Sequence, residues 1–347
     1  MNSLATKYMK GLKITHELIR MIGRLREYKG QQSLYRKQAP EVLENLRLVS
    51  LVQSTESSSR LEQVTAPQDR FRQLMAEKVK PQNRSEAEIA GYRDVLSTIH
   101  QSANEIPLSV SVIKQFHRDL MRYTDRPGGT WKNTNNPIVD KHPDGSERVR
   151  FEPVAPFKVD ETMNHLVKRL ILELSRGEYD PLILIPLFIL DFTCIHPFTD
   201  GNGRTSRLLT TLLLYHQGYD VAKYISVEKI VEKTKESYYE TLERSSLSWH
   251  EADHDAIPFV SYTLSTFLAA YDEFEKRANI SVTARGAKTE MIINSVEGFK
   301  GNFSVSDIQE ACPLVSIDLI RRTLKELRKN GVLVNISRGR YAKWRKV

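Results

Sequence analysis

The sequence has 347 residues, enough for two or three domains and at least one sizeable hydrophobic core. Hydrophobic residues make up 40% and charged residues 27%, proportions typical of a soluble globular protein. The formal net charge is +8, and residues 285–347 alone carry 13 Lys and Arg against 6 Asp and Glu. That excess indicates a separate C-terminal unit with an acidic partner or, alternatively, a solubilising surface.

Membrane and secretory classes are excluded by the apolar pattern. The longest strongly apolar stretch, residues 181–190, is interrupted at Asp191 and is too short to cross a bilayer. The N-terminus has lysines but no apolar signal region. The two cysteines, Cys194 and Cys312, lie far apart and lack metal-type spacing, which favours a reducing compartment. We therefore expect a cytoplasmic protein with no membrane contact.

Helical periodicity dominates the chain up to residue 279. In residues 40–63, apolar side chains recur at helical spacing after Pro40, which suits the first turn of a helix. The stretches 85–101 and 109–123 follow the same period, and each begins with a Ser suited to N-capping. These patterns predict a bundle of helices.

The pattern changes in residues 126–156, which are rich in Gly, Pro and Asn. Asp144 and Gly145 form a tight-turn signal between short strands near Ile138 and Val149. A two-stranded ribbon exposes its edges, so it can pair with an extended peptide by strand addition. An ordinary surface hairpin is the alternative interpretation.

Two apolar helices, predicted over residues 180–195 and 204–218, are the central helices of this bundle. The motif "HPFTDGNGRTSR" connects them, and its Gly201 and Gly203 let the backbone approach a ligand closely. The helix that begins after the glycines points its free N–H groups and its dipole at the loop, forming an anion site. Arg204 and Arg207 share one side of that helix, where each can bind phosphate oxygens.

The remaining polar residues of the loop complete a candidate site. His196 can accept a proton near neutral pH, and Asp200 is a hard oxygen ligand suited to Mg²⁺. Asn202 can bond to neighbouring backbone and hold the shape of the loop. Taken singly, each residue has an ordinary structural interpretation as a cap, a turn or a solvated charge. Their joint order is what favours nucleotide chemistry.

"HPFTDGNGRTSR" resembles the signature of the Fic domain, His-x-Phe-x-Asp/Glu-Gly-Asn-Gly-Arg-x-x-Arg. The resemblance extends over about residues 109–274, and Lys132 in "GGTWKN" stands where many relatives have Arg. It implies transfer of AMP from ATP to a Ser, Thr or Tyr hydroxyl of a target protein. It also implies a role for each motif residue. His196 would be the general base, and Asp200 would bind Mg²⁺. Asn202 and the amides of Gly201 and Gly203 would form the anion hole, Arg204 would neutralise charge on the diphosphate, and Arg207 would bind the γ-phosphate.

A second stretch, "SSSRLEQ" at residues 57–63, resembles the inhibitory helix of many Fic proteins, Ser/Thr-x-x-x-Glu-Gly/Asn. Ser58 and Glu62 match this pattern, while Gln63 departs from it. The resemblance implies that Glu62 pairs with Arg207 and blocks the γ-phosphate position. The same carboxylate could position water for removal of AMP. The alternative is that Glu62 is one exposed acid on an ordinary helix.

Residues 285–347 predict three short helices followed by a basic hairpin, with N-caps at Ser304 and Ser316. This order resembles a winged helix-turn-helix. The third helix has an apolar face of Ile317, Ile320, Leu324 and Leu327. Basic residues predicted elsewhere on this helix and on the wing can meet nucleic-acid phosphates: Arg321, Arg322, Lys325, Lys329, Arg338, Arg340 and Lys343. Winged helices also bind proteins, so DNA and protein partners both stay open.

We therefore expect a mainly α protein, a Fic-type helical bundle with a β-hairpin flap and a small winged helix-turn-helix domain. Its segments are a helical region with the inhibitory helix (1–108), a Fic catalytic domain (109–279) and the winged-helix-like domain (285–347). The expected activity is ATP- and Mg²⁺-dependent AMP transfer to a target protein, inhibited by Glu62. Alternatives are a DNA-binding regulator with a nucleotide-sensing core, or a Fic enzyme that removes AMP or transfers another phosphate-containing group. A homodimer is also compatible with the sequence.

Overall fold

The computed structural model describes residues 2–38, 40–126, 128–141, 147–283, 287–299, 301–312, 315–337 and 342–346. By the contacts between its residues, the chain divides into two compact units, residues 1–29 with 47–271 and residues 30–46 with 272–347. This division follows packing alone, so the three functional segments drawn from the sequence stay a prediction.

The protein is mainly helical, which confirms the predicted fold class. The helices in the described residues are α1 (Thr6–Gly11), α2 (His16–Gln38), α3 (Pro40–Leu61), α4 (Gln68–Met75), α5 (Arg84–Ser102), α6 (Val110–Leu120), α7 (Pro156–Arg176), α8 (Pro181–Ile195), α9 (Asn202–His216), α10 (Val227–Lys233), α11 (Lys235–Ser246), α12 (Ile257–Thr283), α13 (Ala287–Gly298), α14 (Val305–Ala311) and α15 (Ile317–Lys329). The strands are β1 (Ile138–Lys141), β2 (Glu147–Phe151), β3 (Phe303–Ser304), β4 (Leu333–Asn335) and β5 (Lys343–Lys346). No described helix is long and apolar enough to cross a membrane.

Helices α8 and α9 form the centre of the first unit. Helix α8 begins at Pro181, where the Asp180 side chain accepts a hydrogen bond from the Leu182 N–H (2.8 Å). Every α8 residue from Leu182 onward is buried, as the apolar sequence predicts. Helix α9 begins after Gly201 and packs against α8. The loop between them is therefore held at both ends by buried helices.

Strands β1 and β2 form an antiparallel hairpin in which Val139 is opposite Val149. The predicted turn at Asp144 and Gly145 lies outside the described residues. Near the base of the hairpin, the Phe151 ring stacks on His250, with 5.4 Å between the ring centroids. This aromatic contact attaches the hairpin to the helical bundle.

Asp191 is a fully buried carboxylate within α8. It accepts hydrogen bonds from the Ser3 N–H (3.0 Å), the Ser3 hydroxyl (2.5 Å) and the Trp249 indole (2.7 Å). A buried carboxylate destabilises a fold unless such donors replace its water. Asp191 therefore anchors the N-terminal segment and the residues before α12 to the central helix.

In the second unit, helices α13, α14 and α15 accompany a three-stranded antiparallel sheet in the order β3-β5-β4. Ser304 and Ser316 cap α14 and α15, in agreement with the sequence. Buried side chains from all of these elements form one core: Ile292, Val296, Phe303, Ile308, Cys312, Val315, Ile320, Leu324, Leu333 and Trp344.

The predicted winged helix-turn-helix includes an apolar face on α15 and a wing tip. Ile320 and Leu324 point into the core as expected, but Ile317 is exposed because it lies in the first turn of α15, beyond the packed face. Arg338 and Arg340, the predicted wing tip, lie outside the described residues. The winged helix-turn-helix itself stays a prediction.

Candidate active site

His196 ends helix α8 in the left-handed conformation (φ 50°, ψ 61°). Its Nδ1 lies 3.3 Å from the Thr193 carbonyl oxygen, so the tautomer that satisfies this contact keeps the proton on Nδ1. Burial, with a smaller contribution from the nearby charge of Lys132, lowers the pKa of His196 to about 4 against the opposing effects of Thr193, Glu62 and Asp200. A neutral imidazole with a free Nε2 lone pair can accept a proton at neutral pH.

The shape of the loop after His196 depends on Asn202 and Gly201. The Asn202 amide accepts from the Phe198 N–H (2.9 Å) and donates to the Phe198 carbonyl (2.7 Å), so both of its ends are used within the loop. Gly201 has φ 77°, and a Cβ at this position would lie 2.7 Å from the Met121 side chain. Asn202 can thus contribute its backbone N–H, rather than its side chain, to an anion hole.

His117 supports the loop from helix α6. Its Nδ1 accepts from the Gly129 N–H (2.9 Å), so its Nε2 carries the proton donated to the Asp200 carbonyl (3.0 Å). The ring stacks on Phe198 with 3.7 Å between the centroids, and burial lowers the pKa of His117 to about 4. A neutral His117 therefore connects α6, the segment before the hairpin and the motif loop.

The start of α9, where the sequence predicts an anion site, faces Glu62. A Cβ built on Gly203 would lie 2.2 Å from Glu62 Oε1, so glycine is what allows the carboxylate to approach this helix end. The unpaired N–H groups and the dipole at a helix N-terminus favour a negative charge there. Glu62 thus occupies the space that the sequence assigns to a phosphate.

Arg207 is held by both residues of the proposed inhibitory pattern. Its Nη2 donates to Glu62 Oε1 (2.8 Å) and to the Ser58 carbonyl (3.0 Å), and its Nε donates to the Ser58 hydroxyl (2.8 Å). The Arg207 side chain is 8% exposed and that of Glu62 is 32% exposed. Burial alone would lower the pKa of Arg207, but the charge and hydrogen bond of Glu62 together with Tyr238 and Tyr92 more than offset this, so the pKa lies above its usual value.

Helix α3 ends immediately before Glu62. The Gln63 N–H donates to the Arg60 carbonyl and the Val64 N–H to the Ser59 carbonyl, both at 2.9 Å, which is the bond pattern of a Schellman helix end. Gln63 has φ 60°, a conformation in which Gly or Asn is favourable. With Gln63 in place of Gly or Asn, α3 still ends at the same position, but the residue at its end is strained.

At the other end of the loop, Asp200 is paired with arginines. Arg84 Nη2 lies 2.5 Å from Asp200 Oδ2, Arg204 Nη2 lies 3.4 Å from Oδ1, and Arg126 is 3.9 Å away. Burial alone would raise the pKa of Asp200, but Arg204, the Gly201 N–H and the other arginines lower it below its usual value. An ionised carboxylate is thereby maintained at this position.

The single carboxylate of Asp200 fits a Mg²⁺ that is also bound by substrate phosphates better than a metal site formed by protein ligands alone. The described residues contain no group of three or more His, Cys, Asp or Glu side chains that would enclose an ion. Mg²⁺ is commonly bound by one or two carboxylates together with substrate phosphates and water. Asp200 fits that requirement once Arg84 releases it.

Arg204, by contrast, faces Glu88. Its Nη1 donates to Glu88 Oε2 (2.5 Å), while Glu88 Oε1 accepts from Arg84 Nε (2.5 Å). Both Arg204 and Glu88 are buried, and the buried Nε of Arg204 has no hydrogen-bond partner. Arg204 therefore connects the motif loop to α5.

A cleft of about 200 Å³ opens beside these groups. It lies between the motif loop, the hairpin and helix α11, and its lining includes Glu62, Arg150, Phe151, His196, Gly203, Arg207, Tyr238 and Tyr239. Of the site residues predicted from the sequence, His196, Gly203, Arg207 and Glu62 meet here. Arg84, Glu88 and His117 were not predicted, because they lie outside the motif on helices with ordinary periodicity.

Comparison with known proteins finds a family match across the motif. A sequence model of the Fic/DOC family matches residues 107–214. Protein adenylyltransferase fic-1 of Caenorhabditis briggsae is 31% identical over 155 residues, 45% of this chain and 26% of that protein. Its counterpart in Caenorhabditis elegans is 35% identical over 113 residues, 33% of this chain and 20% of that protein. The chain thus spans about a quarter and a fifth of the lengths of these relatives.

Solved structures share the fold. A Fic family protein from Desulfovibrio desulfuricans G20 has a TM-score of 0.62 and 21% identity, covering 96% of this chain and 97% of the other. A Fic domain containing signaling protein from Bacteroides thetaiotaomicron VPI-5482 also has a TM-score of 0.62, with 23% identity over 75% of this chain and 97% of the other. At these identities the likeness concerns the fold alone. Together with the family match across the motif, it supports a Fic/DOC-type domain in residues 107–214.

Proposed function

We propose that this protein transfers AMP from ATP to a hydroxyl side chain of a target protein and that Glu62 inhibits the transfer. The observation that carries the proposal is the Glu62–Arg207 pair at the start of α9, together with a neutral His196 at the end of α8. Nucleotidyl transfer requires positioned phosphates and a positioned proton acceptor, which the start of α9 with Arg207 and the imidazole of His196 can supply. The similarity to two protein adenylyltransferases supports AMP as the transferred group.

In the proposed reaction, Arg207 and the first N–H groups of α9 bind the phosphates of ATP. The hydroxyl oxygen of the target forms a bond to the α-phosphorus as the bond to the β-phosphate oxygen breaks and pyrophosphate leaves. Nε2 of His196 takes the hydroxyl proton. Asp200 would hold Mg²⁺, which when bound neutralises charge on the phosphate oxygens. The protein mainly positions and neutralises charge, as in other phosphoryl transfers.

Glu62 inhibits by competition for Arg207. The guanidinium that would bind a terminal phosphate already donates to a carboxylate and to Ser58. Charge-assisted bonds of this kind are about twice as strong as neutral ones. ATP must displace Glu62 to bind productively, so a variant without the carboxylate is expected to be more active.

The test uses ATP labelled on the α- or the γ-phosphate, with the wild type, Glu62→Gly and the double variant Glu62→Gly/His196→Ala. We expect Glu62→Gly to incorporate more α-label into protein than the wild type, and the double variant to incorporate none above background. Glu56→Ala, which removes a carboxylate of the adjoining helix α3 that pairs with Arg60 and not with Arg207, is the control and is expected to behave as the wild type. Incorporation of γ-label, or α-label that survives loss of His196, contradicts the proposal.

The second unit supplies a further candidate function, contact with DNA. The side chains on α15 that the sequence assigned to phosphate contacts are exposed: Arg321, Arg322, Lys325 and Lys329. A basic helix face of this kind binds phosphates with a steep dependence on salt. A gel shift that weakens from 50 to 200 mM salt, and weakens further when Arg322 and Lys325 are replaced by Gln, supports DNA binding. Binding that is indifferent to both changes contradicts it.

A further inference from the structure

Lys132 contacts the backbone on both sides of His196. Its Nζ donates to the Ile195 carbonyl (3.2 Å), and its backbone N–H donates to the Pro197 carbonyl (2.9 Å). The Nζ also donates to Asn136 Oδ1 (2.7 Å), and Asn136 in turn donates to the Phe198 carbonyl (2.8 Å). One lysine and its neighbour thus bind three carbonyls of residues 195–198.

His196 needs such support because its backbone is in an unfavourable conformation. A non-glycine residue in the left-handed region costs about 1–2 kcal/mol relative to the right-handed one. The last carbonyls of α8 also lack partners within the helix and lie at its negative end. An ammonium at the Ile195 carbonyl satisfies one of them and stabilises the turn in which His196 lies.

We infer that Lys132 is a positioning residue for His196, which holds the two flanking carbonyls and so keeps the imidazole at the wall of the cleft. This inference rests on the proposed function only in giving His196 the role of base. The Lys132 side chain is 4% exposed and is not among the residues that line the cleft. It therefore acts through the histidine and not by touching a phosphate.

Lys132 also changes the electrostatic environment of the base. Its positive charge disfavours a protonated imidazole, while Glu62 and Asp200 favour it, and burial is the largest influence. Removal of the lysine charge is therefore expected to raise the pKa of His196 above about 4, toward its ordinary value. This effect is measurable without any enzymatic reaction.

The test compares Lys132→Met and Lys132→Arg, each combined with Glu62→Gly so that turnover is measurable. Lys114→Met in the same background is the matched control, because Lys114 lies over the Trp131 ring next to Lys132 but contacts none of the carbonyls of residues 195–198. We expect Lys132→Met to lower kcat by about tenfold to a hundredfold, the usual effect of a misplaced reacting group, while KM for ATP changes less than about twofold. Lys132→Arg should restore most of kcat, and Lys114→Met should leave both constants unchanged.

The second readout is an NMR titration of His196. In Lys132→Met the pKa of His196 should rise, and the Nδ1-protonated tautomer should lose its dominance. An unchanged kcat and an unchanged titration in folded Lys132→Met overturn the inference. A raised KM at unchanged kcat also overturns it, because that result assigns Lys132 to nucleotide binding.

Two further comparisons keep the result decisive. If Lys132→Met does not fold, Asn136→Ala removes the link to Phe198 and should lower kcat by a smaller factor, about two- to fivefold. An unchanged kcat and titration in Asn136→Ala would then overturn the inference. If the Glu62→Gly parent transfers no AMP, the proposed function fails, whereas the His196 titration still decides whether Lys132 positions the ring.

Discussion

The two ends of the motif loop are each paired with a charge from outside the motif, but the two pairs differ in burial. At the start of α9, Arg207 is 8% exposed and donates to Glu62 and to both oxygens of Ser58. At the opposite end, Asp200 is 36% exposed and pairs with Arg84, which is 52% exposed. The same loop therefore has one ion pair largely out of water and one pair in contact with it.

This difference predicts how easily each end gives way to a ligand. An exposed ion pair contributes only about 0.2–1 kcal/mol, because water screens the charges and side-chain freedom is lost. A buried pair is coupled more strongly, and the loss of one partner leaves an uncompensated charge. Glu62 should therefore have a large effect on the binding of ATP at Arg207, while Arg84 should have a smaller effect on the binding of a metal ion at Asp200.

The largest expected effect is on nucleotide affinity at the buried pair. In Glu62→Gln, the Arg207 guanidinium no longer has an anionic partner and is free to bind phosphate. We expect ATP to bind at least about tenfold more tightly, equivalent to the 1.5 kcal/mol or more of a hydrogen bond to a charged group. Isothermal titration calorimetry measures this, with Glu56→Gln in the adjoining helix α3 as the control. Equal affinities in Glu62→Gln and the wild type would mean that Glu62 does not compete with phosphate.

His196 lies between the two ends and responds to both, since Glu62 and Asp200 each raise its pKa while burial lowers it to about 4. The base is therefore unprotonated well below pH 6.5. In Glu62→Gly, where one of the two opposing charges is gone, kcat/KM should stay nearly flat from pH 7 to pH 5.5. A base with the ordinary pKa of 6.5 would lose about tenfold over that interval. Such a loss would show that the imidazole is solvated during catalysis.

A smaller effect is expected at the exposed pair. Arg84→Met removes the guanidinium from Asp200 and should strengthen binding of Mn²⁺, used as the probe for Mg²⁺, by about two- to fivefold. Electron paramagnetic resonance of free Mn²⁺ measures this without turnover. Arg126→Met is the control, because Arg126 lies 3.9 Å from Asp200 and should matter less. If Arg84→Met changes Mn²⁺ affinity by a larger factor than Glu62→Gln changes ATP affinity, the expected order of the two effects is wrong.

The smallest effect concerns the helix end that carries Glu62. Gln63→Gly relieves the strained φ of 60° and should stabilise the first unit by about 1 kcal/mol, raising Tm by about 2–4 °C. Gln53→Gly, the same change inside α3, should lower Tm because glycine is unfavourable within a helix. Because the helix end that carries Glu62 is then more stable, the basal activity of Gln63→Gly should be lower than that of the wild type. A lower Tm in Gln63→Gly contradicts the role of Gln63 as a strained cap.

Much of the fold was predictable because its signals are local. The unbroken apolar run of α8, the caps at Ser304 and Ser316 and the hairpin strands each follow from short stretches of sequence. The strand-addition role of the hairpin stays a prediction. Ile317 was the exception among the apolar positions of α15, because helical spacing alone does not reveal which turns lie beyond the packed core.

The partners of the site residues were less predictable. Arg84 reaches Asp200 across 116 positions of sequence, and Ser3 reaches Asp191 across 188. No periodicity or short motif carries such information, because both contacts arise only when segments distant in sequence pack together. Lys132 was noted in the sequence as a departure from its relatives, yet its contacts with the carbonyls around His196 depend on how the hairpin segment meets the end of α8.

The sequence by itself determined the helical class, the positions of the two central helices and a motif loop whose residue order indicates phosphate chemistry, because periodicity and glycine-containing turns act over a few neighbouring residues. The tertiary structure alone decided which charge faces which: Glu62 on Arg207, Arg84 on Asp200 and Lys132 on the carbonyls beside His196. The physical reason is that the strength of an ion pair depends on distance and on exclusion of water, and both are properties of packed helices rather than of neighbours in the chain.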